Sequence, residues 1–139
     1  MERSLVLIKP DAMKRGLAGA IIARLQKPGI KLVALKMLKL DEALAKKHYA
    51  VHADKKFFPD LIEYITSTPI VAMVFEGEGA IKLIRKTMGA TDPAKAEVGT
   101  IRRDFGLDIQ QNAVHGSDSV ETAKVEIKLY FKENEIFSY

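Results

Sequence analysis

The six residues IVAMVF, numbers 70–75, decide the fold. This unbroken apolar run has the length of a strand, and glycines follow it at positions 77 and 79, so it predicts a buried strand. The run SLVLI, residues 4–8, is a second run of this kind. It stops at Lys9-Pro10-Asp11, where proline cannot donate to a sheet ladder. Together the two runs predict a core built around a β-sheet.

The rest of the chain alternates between strand and helix patterns. Residues 31–40 predict a third strand, and residues 113–115 predict a very short last strand. Apolar residues at helical spacing predict helices over 19–26, 41–50, 59–65, 80–88 and 120–130, with Asp41 as one cap. Residues 89–111 show little periodicity, and a segment of that length without regular structure is usually functional or disordered.

This order of elements favours an α+β fold. We predict a ferredoxin-like β-α-β-β-α-β sandwich with an antiparallel four-stranded sheet, extra helices and a long loop before the last strand. A parallel doubly wound sheet is the alternative, because strand-helix alternation alone does not separate the two. The 139 residues fit one domain, residues 1–139.

Composition narrows the function classes. The chain has no cysteine, which excludes disulfides and thiolate metal sites and predicts a cytoplasmic location. The net charge of +4 allows a phosphate-bearing ligand, but the basic residues are scattered, which argues against nucleic acid as a partner. No apolar run approaches the roughly 20 residues needed to cross a membrane, so we expect no membrane partner.

Two short patterns have simple structural interpretations. The stretch from Glu76 to Gly79 begins like a phosphate-binding loop, but it lacks a third glycine and its two acids would repel a pyrophosphate. His48 and His52 are four residues apart and could share a helix face as metal ligands. No third ligand lies nearby in the sequence, so we interpret them as polar residues near the surface.

The region around this long loop carries residue types that bind phosphate. These are Arg85, Lys86, Thr91, Arg102, Arg103 and Asn112. Guanidinium groups bind phosphate oxygens bidentately, while threonine and asparagine add uncharged hydrogen bonds. Lys9, at the end of the first strand, is either a solvated turn residue or a lysine that points into a ligand crevice.

His115 follows this loop directly. A neutral imidazole can attack phosphorus at neutral pH, and the last helix can bring Glu121 or Glu126 back towards it. The alternative is a histidine that makes only structural hydrogen bonds in a turn. The residues around His115 do not by themselves separate a nucleophilic histidine from a structural one.

The octet NAVHGSDS, residues 112–119, resembles the active-site signature of the nucleoside diphosphate kinases. Further family motifs occur in the family's order and cover essentially the whole chain: Leu7-Ile8-Lys9-Pro10-Asp11, His48-Tyr49, Phe57-Phe58, Thr91-Asp92-Pro93, Gly99-Thr100-Ile101-Arg102 and Asp104-Phe105. The resemblance implies transfer of a γ-phosphoryl group from a nucleoside triphosphate to a nucleoside diphosphate. It also implies a ping-pong route through a phosphohistidine, Mg²⁺ as cofactor, and a homo-oligomer, either hexamer or tetramer.

The resemblance assigns the chemistry to a few residues. It makes His115 the nucleophile, with Glu126 and Ser117 orienting its ring and Tyr49 beside it. Lys9 would contact the transferred phosphate and the sugar.

The same resemblance assigns the nucleotide contacts. Asn112 would bind the sugar hydroxyls, Phe57 would stack on the base, and Asp118 would hold Mg²⁺ through water. The remaining phosphate contacts would come from Arg85, Thr91 and Arg102. A single stacking aromatic predicts little base specificity, because every base has a π-face.

Two other functions compete with this one. A ferredoxin-like nucleic-acid-binding module would need paired aromatic residues on its strands, and IVAMVF offers only Phe75. A catalytically inactive relative would be expected to lose part of the site, whereas every implied position retains a competent residue.

Overall fold

The computed structural model describes residues 1–139 and contains one four-stranded sheet. The strands are β1 (Glu2–Ile8), β2 (Ile30–Leu38), β3 (Ile70–Gly77) and β4 (Val114–Gly116). Their order is β2-β3-β1-β4, and every neighbouring pair is antiparallel. This confirms the ferredoxin-like sandwich and excludes the parallel doubly wound alternative.

Seven α-helices connect and cover the strands. They are α1 (Pro10–Lys14), α2 (Ala18–Leu25), α3 (Glu42–His48), α4 (Phe58–Ile65), α5 (Ala80–Met88), α6 (Ile101–Phe105) and α7 (Val120–Tyr130). Three 3₁₀ turns lie at Ala50–His52, Pro93–Lys95 and Glu133–Glu135. No helix has the length and apolar character to cross a membrane.

The apolar run of residues 70–75 is buried on both of its faces. Alternate residues of a strand point to opposite sides of the sheet. Ala72 and Val74 therefore join a core with α3, α4 and α7, while Met73 and Phe75 join a second core with α2 and α5. The helices on both sides explain why residues 70–75 are apolar throughout instead of alternating.

Helix boundaries follow local chemistry closely. Asp41 caps α3, as predicted, by accepting a hydrogen bond of 2.7 Å from the Leu44 N–H. Ser119 caps α7 through the Thr122 N–H at 3.0 Å. The predicted helix over 41–50 ends earlier, at His48, because the chain tightens there into the turn Ala50–His52.

The long connection before β4 is confirmed, but it contains regular structure. It includes the turn Pro93–Lys95 and helix α6, which Thr100 caps through the Arg103 N–H. Helix α1 was also not predicted from the sequence. Each of these helices has only five residues, so neither can show a sustained apolar period.

Candidate active site

His115 lies at the centre of β4, paired with Leu7 of β1. Its side chain is 22% exposed, and its Nε2 atom lies 3.0 Å from Oε2 of Glu126 on α7. Strand β1 therefore fixes the backbone of His115, while α7 supplies the carboxylate partner of its imidazole. The structure brings together His115 and Glu126, as the sequence predicted.

Ser117 links this carboxylate to the sheet. Its hydroxyl donates to Oε1 of Glu126 at 2.6 Å, and its oxygen accepts the Leu5 N–H at 3.0 Å. Burial acts to raise the pKa of Glu126. The close contact and charge of His115, together with the Ser117 hydroxyl, outweigh burial and hold that pKa below its usual value. Glu126 is thus an ionised carboxylate whose Oε2 lies 3.0 Å from Nε2 of His115, an ion-pair contact that does not have the geometry of a formed hydrogen bond.

His48 is part of this cluster, which corrects its interpretation as a residue near the surface. Its side chain is only 1% exposed, and its ring centroid lies 4.7 Å from that of His115. His52 lies in the turn Ala50–His52, beyond the end of α3, so the two histidines do not share a helix face.

Tyr49 packs directly against His48, with ring centroids 4.5 Å apart. Burial, and then the charge of Glu126, raise the pKa of Tyr49, so the phenol keeps its proton. Tyr49, which the resemblance places beside His115, therefore contacts His48, and His48 in turn contacts His115.

Lys9 is a buried lysine at the carboxyl end of β1. It is 7% exposed, and its ammonium donates to Oδ1 of Asn112 at 2.8 Å and to the Gln110 carbonyl at 2.7 Å. Burial, and then the charge of Arg102, lower the pKa of Lys9 to about 8, although Asp11 opposes the shift. Lys9 is therefore not a solvated turn residue, which was one of the two alternatives that the sequence left open.

Asn112 and Thr91 are connected to the same group. The amide of Asn112 donates to the Thr91 carbonyl at 3.0 Å, while the Thr91 side chain is exposed. Asn112 therefore ties the ammonium of Lys9 to the start of the long connection.

Arg102 is buried and binds the backbone around the site. Its two Nη atoms donate to the carbonyls of Gly89, at 3.1 Å, and Val114, at 2.9 Å. Its buried Nε has no partner within the chain. Burial, and then the nearby charge of Arg85, lower the pKa of Arg102 to about 10. The guanidinium thus fixes the residue before His115 and keeps one N–H uncommitted.

The three remaining predicted residues, Phe57, Asp118 and Arg85, lie outside this hydrogen-bonded group. Phe57 is 46% exposed, and its aromatic neighbour is His52, with ring centroids 5.5 Å apart. Asp118 presents an exposed carboxylate one residue after Ser117. Arg85 is exposed as well.

Asp11 is a site-forming residue that sequence reasoning missed. Its buried carboxylate accepts hydrogen bonds from the Ala113 N–H and Arg15, both at 3.1 Å, and from the Tyr64 hydroxyl. Ala113 has a φ of 73°, a left-handed conformation that costs energy for a residue with a side chain. Asp11 therefore holds the strained entry to β4. The motif containing Lys9 and Pro10 included Asp11, but one sequence does not reveal that a carboxylate is buried.

Comparison with known proteins agrees with this geometry. The family model described as nucleoside diphosphate kinase matches residues 2–136. A nucleoside diphosphate kinase of Dehalococcoides mccartyi is 58% identical over 139 residues, which cover 100% of this chain and 98% of that protein.

Two solved structures have the same fold. The nucleoside diphosphate kinase of Aquifex aeolicus superposes with a TM-score of 0.94 at 42% identity, covering 98% of this chain and 99% of that one. The enzyme of Halobacterium salinarum, in complex with CDP, gives 0.95 at 46% identity, covering 99% and 92%. The chain therefore belongs to the nucleoside diphosphate kinase family, the enzymes that transfer a γ-phosphoryl group from a nucleoside triphosphate to a nucleoside diphosphate.

Proposed function

We propose that His115 carries the phosphoryl group between the two nucleotides in a ping-pong reaction. The observation that carries this proposal is the 3.0 Å contact between Nε2 of His115 and the Glu126 carboxylate. A carboxylate 3.0 Å from Nε2 favours the tautomer that keeps the hydrogen on Nε2, and this tautomer has its lone pair on Nδ1. Nδ1 is then the nucleophile.

The first half-reaction forms a bond from Nδ1 to the γ-phosphorus as the bond from that phosphorus to the β-phosphate oxygen breaks. The nucleoside diphosphate leaves with the electron pair of the broken bond, and the ring becomes a cationic phosphohistidine. Glu126, ionised and held by Ser117, stabilises the positive charge on the ring. In the second half-reaction, a terminal oxygen of another nucleoside diphosphate attacks the same phosphorus and restores the neutral ring.

Phosphoryl transfer depends mainly on positioning and charge neutralisation. We assign these tasks to Lys9, Arg102 and Arg85, with Thr91 and Asn112 as uncharged donors. The uncommitted Nε of Arg102 supports its role, because a buried N–H without a partner is suited to receive a phosphate oxygen. Phe57 is assigned the stacking face for the base, and its 46% exposure leaves the ring accessible.

Nucleoside diphosphates and triphosphates are the proposed partners of this site. The solved relative in complex with CDP supports that class of ligand. Because a single aromatic face stacks on any base, we expect little base specificity.

Asp118 would hold Mg²⁺ through water. An exposed carboxylate next to the proposed phosphate site fits the ion, which is bound by one or two carboxylates plus substrate phosphates and keeps several waters. When bound, Mg²⁺ would neutralise charge on the phosphate oxygens. Lys9 and the two arginines would bind the remaining phosphate charge.

We further propose that residues 1–139 act as one domain in a cytoplasmic homo-oligomer, either hexamer or tetramer. Strand β2 lies at the edge of the sheet and exposes Leu35 and Met37, with Phe137 and Tyr139 exposed near the end of the chain. The end of the chain covers only part of this edge, through bonds to the carbonyls of Val33 and Leu32, and exposed apolar residues at an edge strand favour association. Light scattering during size-exclusion chromatography would give the number of subunits.

Labelling tests the main proposal. Incubation with ATP labelled at the γ-phosphate and Mg²⁺ should give an acid-labile, base-stable phosphoprotein, and the label should then move to any added nucleoside diphosphate. His115→Ala should abolish labelling. His52→Ala, which removes a histidine outside the cluster, should still label. Labelling of His115→Ala at the wild-type level would show that the proposed carrier is wrong.

A further inference from the structure

The assigned chemistry leaves one buried group unexplained: the side chain of His48. It ends helix α3, is almost completely enclosed, and meets the ring of His115 edge to face at an interplanar angle of 76°. Its Nδ1 lies 2.9 Å from the Tyr130 hydroxyl, and its Nε2 lies 3.5 Å from Oε2 of Glu126. Both ring nitrogens therefore face groups on α7.

The position of the proton on His48 follows from these two contacts. Burial, and then the nearby charge of Glu126 and the phenol of Tyr49, keep Tyr130 protonated. Either group can donate in the 2.9 Å contact between the Tyr130 hydroxyl and Nδ1 of His48, and the nearby carboxylate of Glu126 decides between them. With Tyr130 as the donor, the neutral His48 ring carries its hydrogen on Nε2, the nitrogen nearest Oε2 of Glu126. The opposite tautomer would set the Nε2 lone pair against a carboxylate oxygen, which is repulsive.

The charge state of His48 agrees with this assignment. Burial and the neighbouring His115 lower the pKa of His48 to about 3, with Lys9 acting in the same direction and Glu126 opposing. His48 is therefore neutral at every pH at which the enzyme would be assayed. It cannot compete with His115 for the role of cation beside the carboxylate.

Both oxygens of Glu126 have polar neighbours. Its Oε1 accepts from Ser117 at 2.6 Å, and its Oε2 lies 3.0 Å from Nε2 of His115 and 3.5 Å from Nε2 of His48. Neither Nε2 atom has the geometry of a formed hydrogen bond, so the two histidines act on Oε2 through close electrostatic contact. The orientation of Glu126 decides where the hydrogen of His115 sits.

We propose that His48, fixed by the Tyr130 hydroxyl, is a positioning residue that holds Glu126 against Nε2 of His115 and so keeps the His115 lone pair on Nδ1. The inference rests on the proposed role of His115 as phosphoryl carrier. The proposal adds His48 on α3 and Tyr130 on α7 to the site. The contacts then run from Tyr130 to His48, from His48 to Glu126, and from Glu126 to His115.

Tyr130→Phe is the sharpest test, because it removes one hydroxyl and keeps the ring. The rate of phosphorylation in a single turnover should fall roughly two- to tenfold, the range that loss of one neutral hydrogen bond spans. The dissociation constant for a nucleoside diphosphate should not change. Nitrogen-15 NMR of the free enzyme should show part of His115 with its hydrogen moved to Nδ1.

Matched variants separate this effect from general destabilisation. Tyr139→Phe removes a hydroxyl that donates to the Leu32 carbonyl far from the site, and it should react like wild type. His48→Gln keeps an acceptor for Tyr130 and a donor for Glu126, so it should retain more activity than His48→Leu. If His48→Leu does not fold, the Tyr130→Phe result still decides.

Failure of this inference is distinct from failure of the proposed function. If wild type carries the label on a residue other than His115, both fail. If His115 carries the label and Tyr130→Phe reacts at the wild-type rate, only the positioning role is overturned. A slower Tyr130→Phe enzyme with an unchanged His115 tautomer would overturn it as well.

Discussion

Replacing Glu126 by glutamine tests how much the site depends on a charged partner for His115. The side chain keeps its shape but loses its charge, and the contact concerned is the 3.0 Å approach of His115 Nε2 to Oε2. Hydrogen bonds to charged groups contribute about 1.5–3 kcal/mol. At about 1.36 kcal/mol for each tenfold change in rate, phosphorylation should slow by about 10- to 150-fold.

The amide has two orientations, and both are harmful. If its oxygen faces His115, the Nε2 hydrogen keeps a partner, but the cationic phosphohistidine loses its counter-charge. If its NH₂ faces His115, Nε2 must accept, and the hydrogen moves to Nδ1, which removes the nucleophilic lone pair. Both orientations lower the rate of chemistry and leave nucleotide binding to other residues.

Rapid mixing with labelled ATP, quenched in base, measures the phosphorylation step directly. Glu121→Gln is the control, since Glu121 is an exposed carboxylate in the first turn of the same helix, and it should react at the wild-type rate. A folded Glu126→Gln enzyme, as judged by circular dichroism, that phosphorylates within about threefold of the wild-type rate would contradict a charged partner for His115. So small a decrease in rate lies below the range expected for loss of a charged hydrogen bond.

Three further predictions address the nucleotide-binding residues. Phe57→Ala should weaken binding of purine and pyrimidine nucleotides alike, by about 1–3 kcal/mol in titration calorimetry, and a loss confined to one base would contradict stacking. Arg102→Lys cannot span the carbonyls of Gly89 and Val114, so urea unfolding should show a loss of about 1–3 kcal/mol. Arg103→Lys, at an exposed position, should lower the free energy of unfolding by less. The lowered pKa of Lys9, about 8, means that the free enzyme loses this positive charge as the pH rises through that value. The kcat/KM should then fall above about pH 8, and an NMR titration that places the Lys9 pKa near 10.5 would contradict this.

Long apolar patterns were sufficient to predict the sheet. IVAMVF is buried on both faces because helices cover both sides of β3, and a run of this kind is visible in one sequence. Helix α5 has the predicted bounds, 80–88, because its apolar residues recur over nine positions between flanking glycines. Helices α1 and α6 were missed because five residues are too few to show a period.

The site was predicted by motif, and the contacts that hold it were not. The pattern around His115 predicts a carrier with Glu121 or Glu126 as its partner, and the family resemblance selects Glu126. It could not indicate that Arg102 uses both Nη atoms on backbone carbonyls, since side-chain to backbone bonds depend on the folded path of the chain. His48 was misread for a related reason: burial of a polar side chain at a helix end depends on α7, far away in the sequence.

The position of the phosphoryl group on the protein is the most direct test of whether His115 is the carrier. Nitrogen-15 and phosphorus-31 NMR of the phosphorylated enzyme distinguish the two ring nitrogens of a phosphohistidine. Because Nε2 of His115 lies 3.0 Å from the Glu126 carboxylate, we expect phosphorus on Nδ1 of His115 alone. Phosphorus on Nε2, or on any other residue, would contradict it.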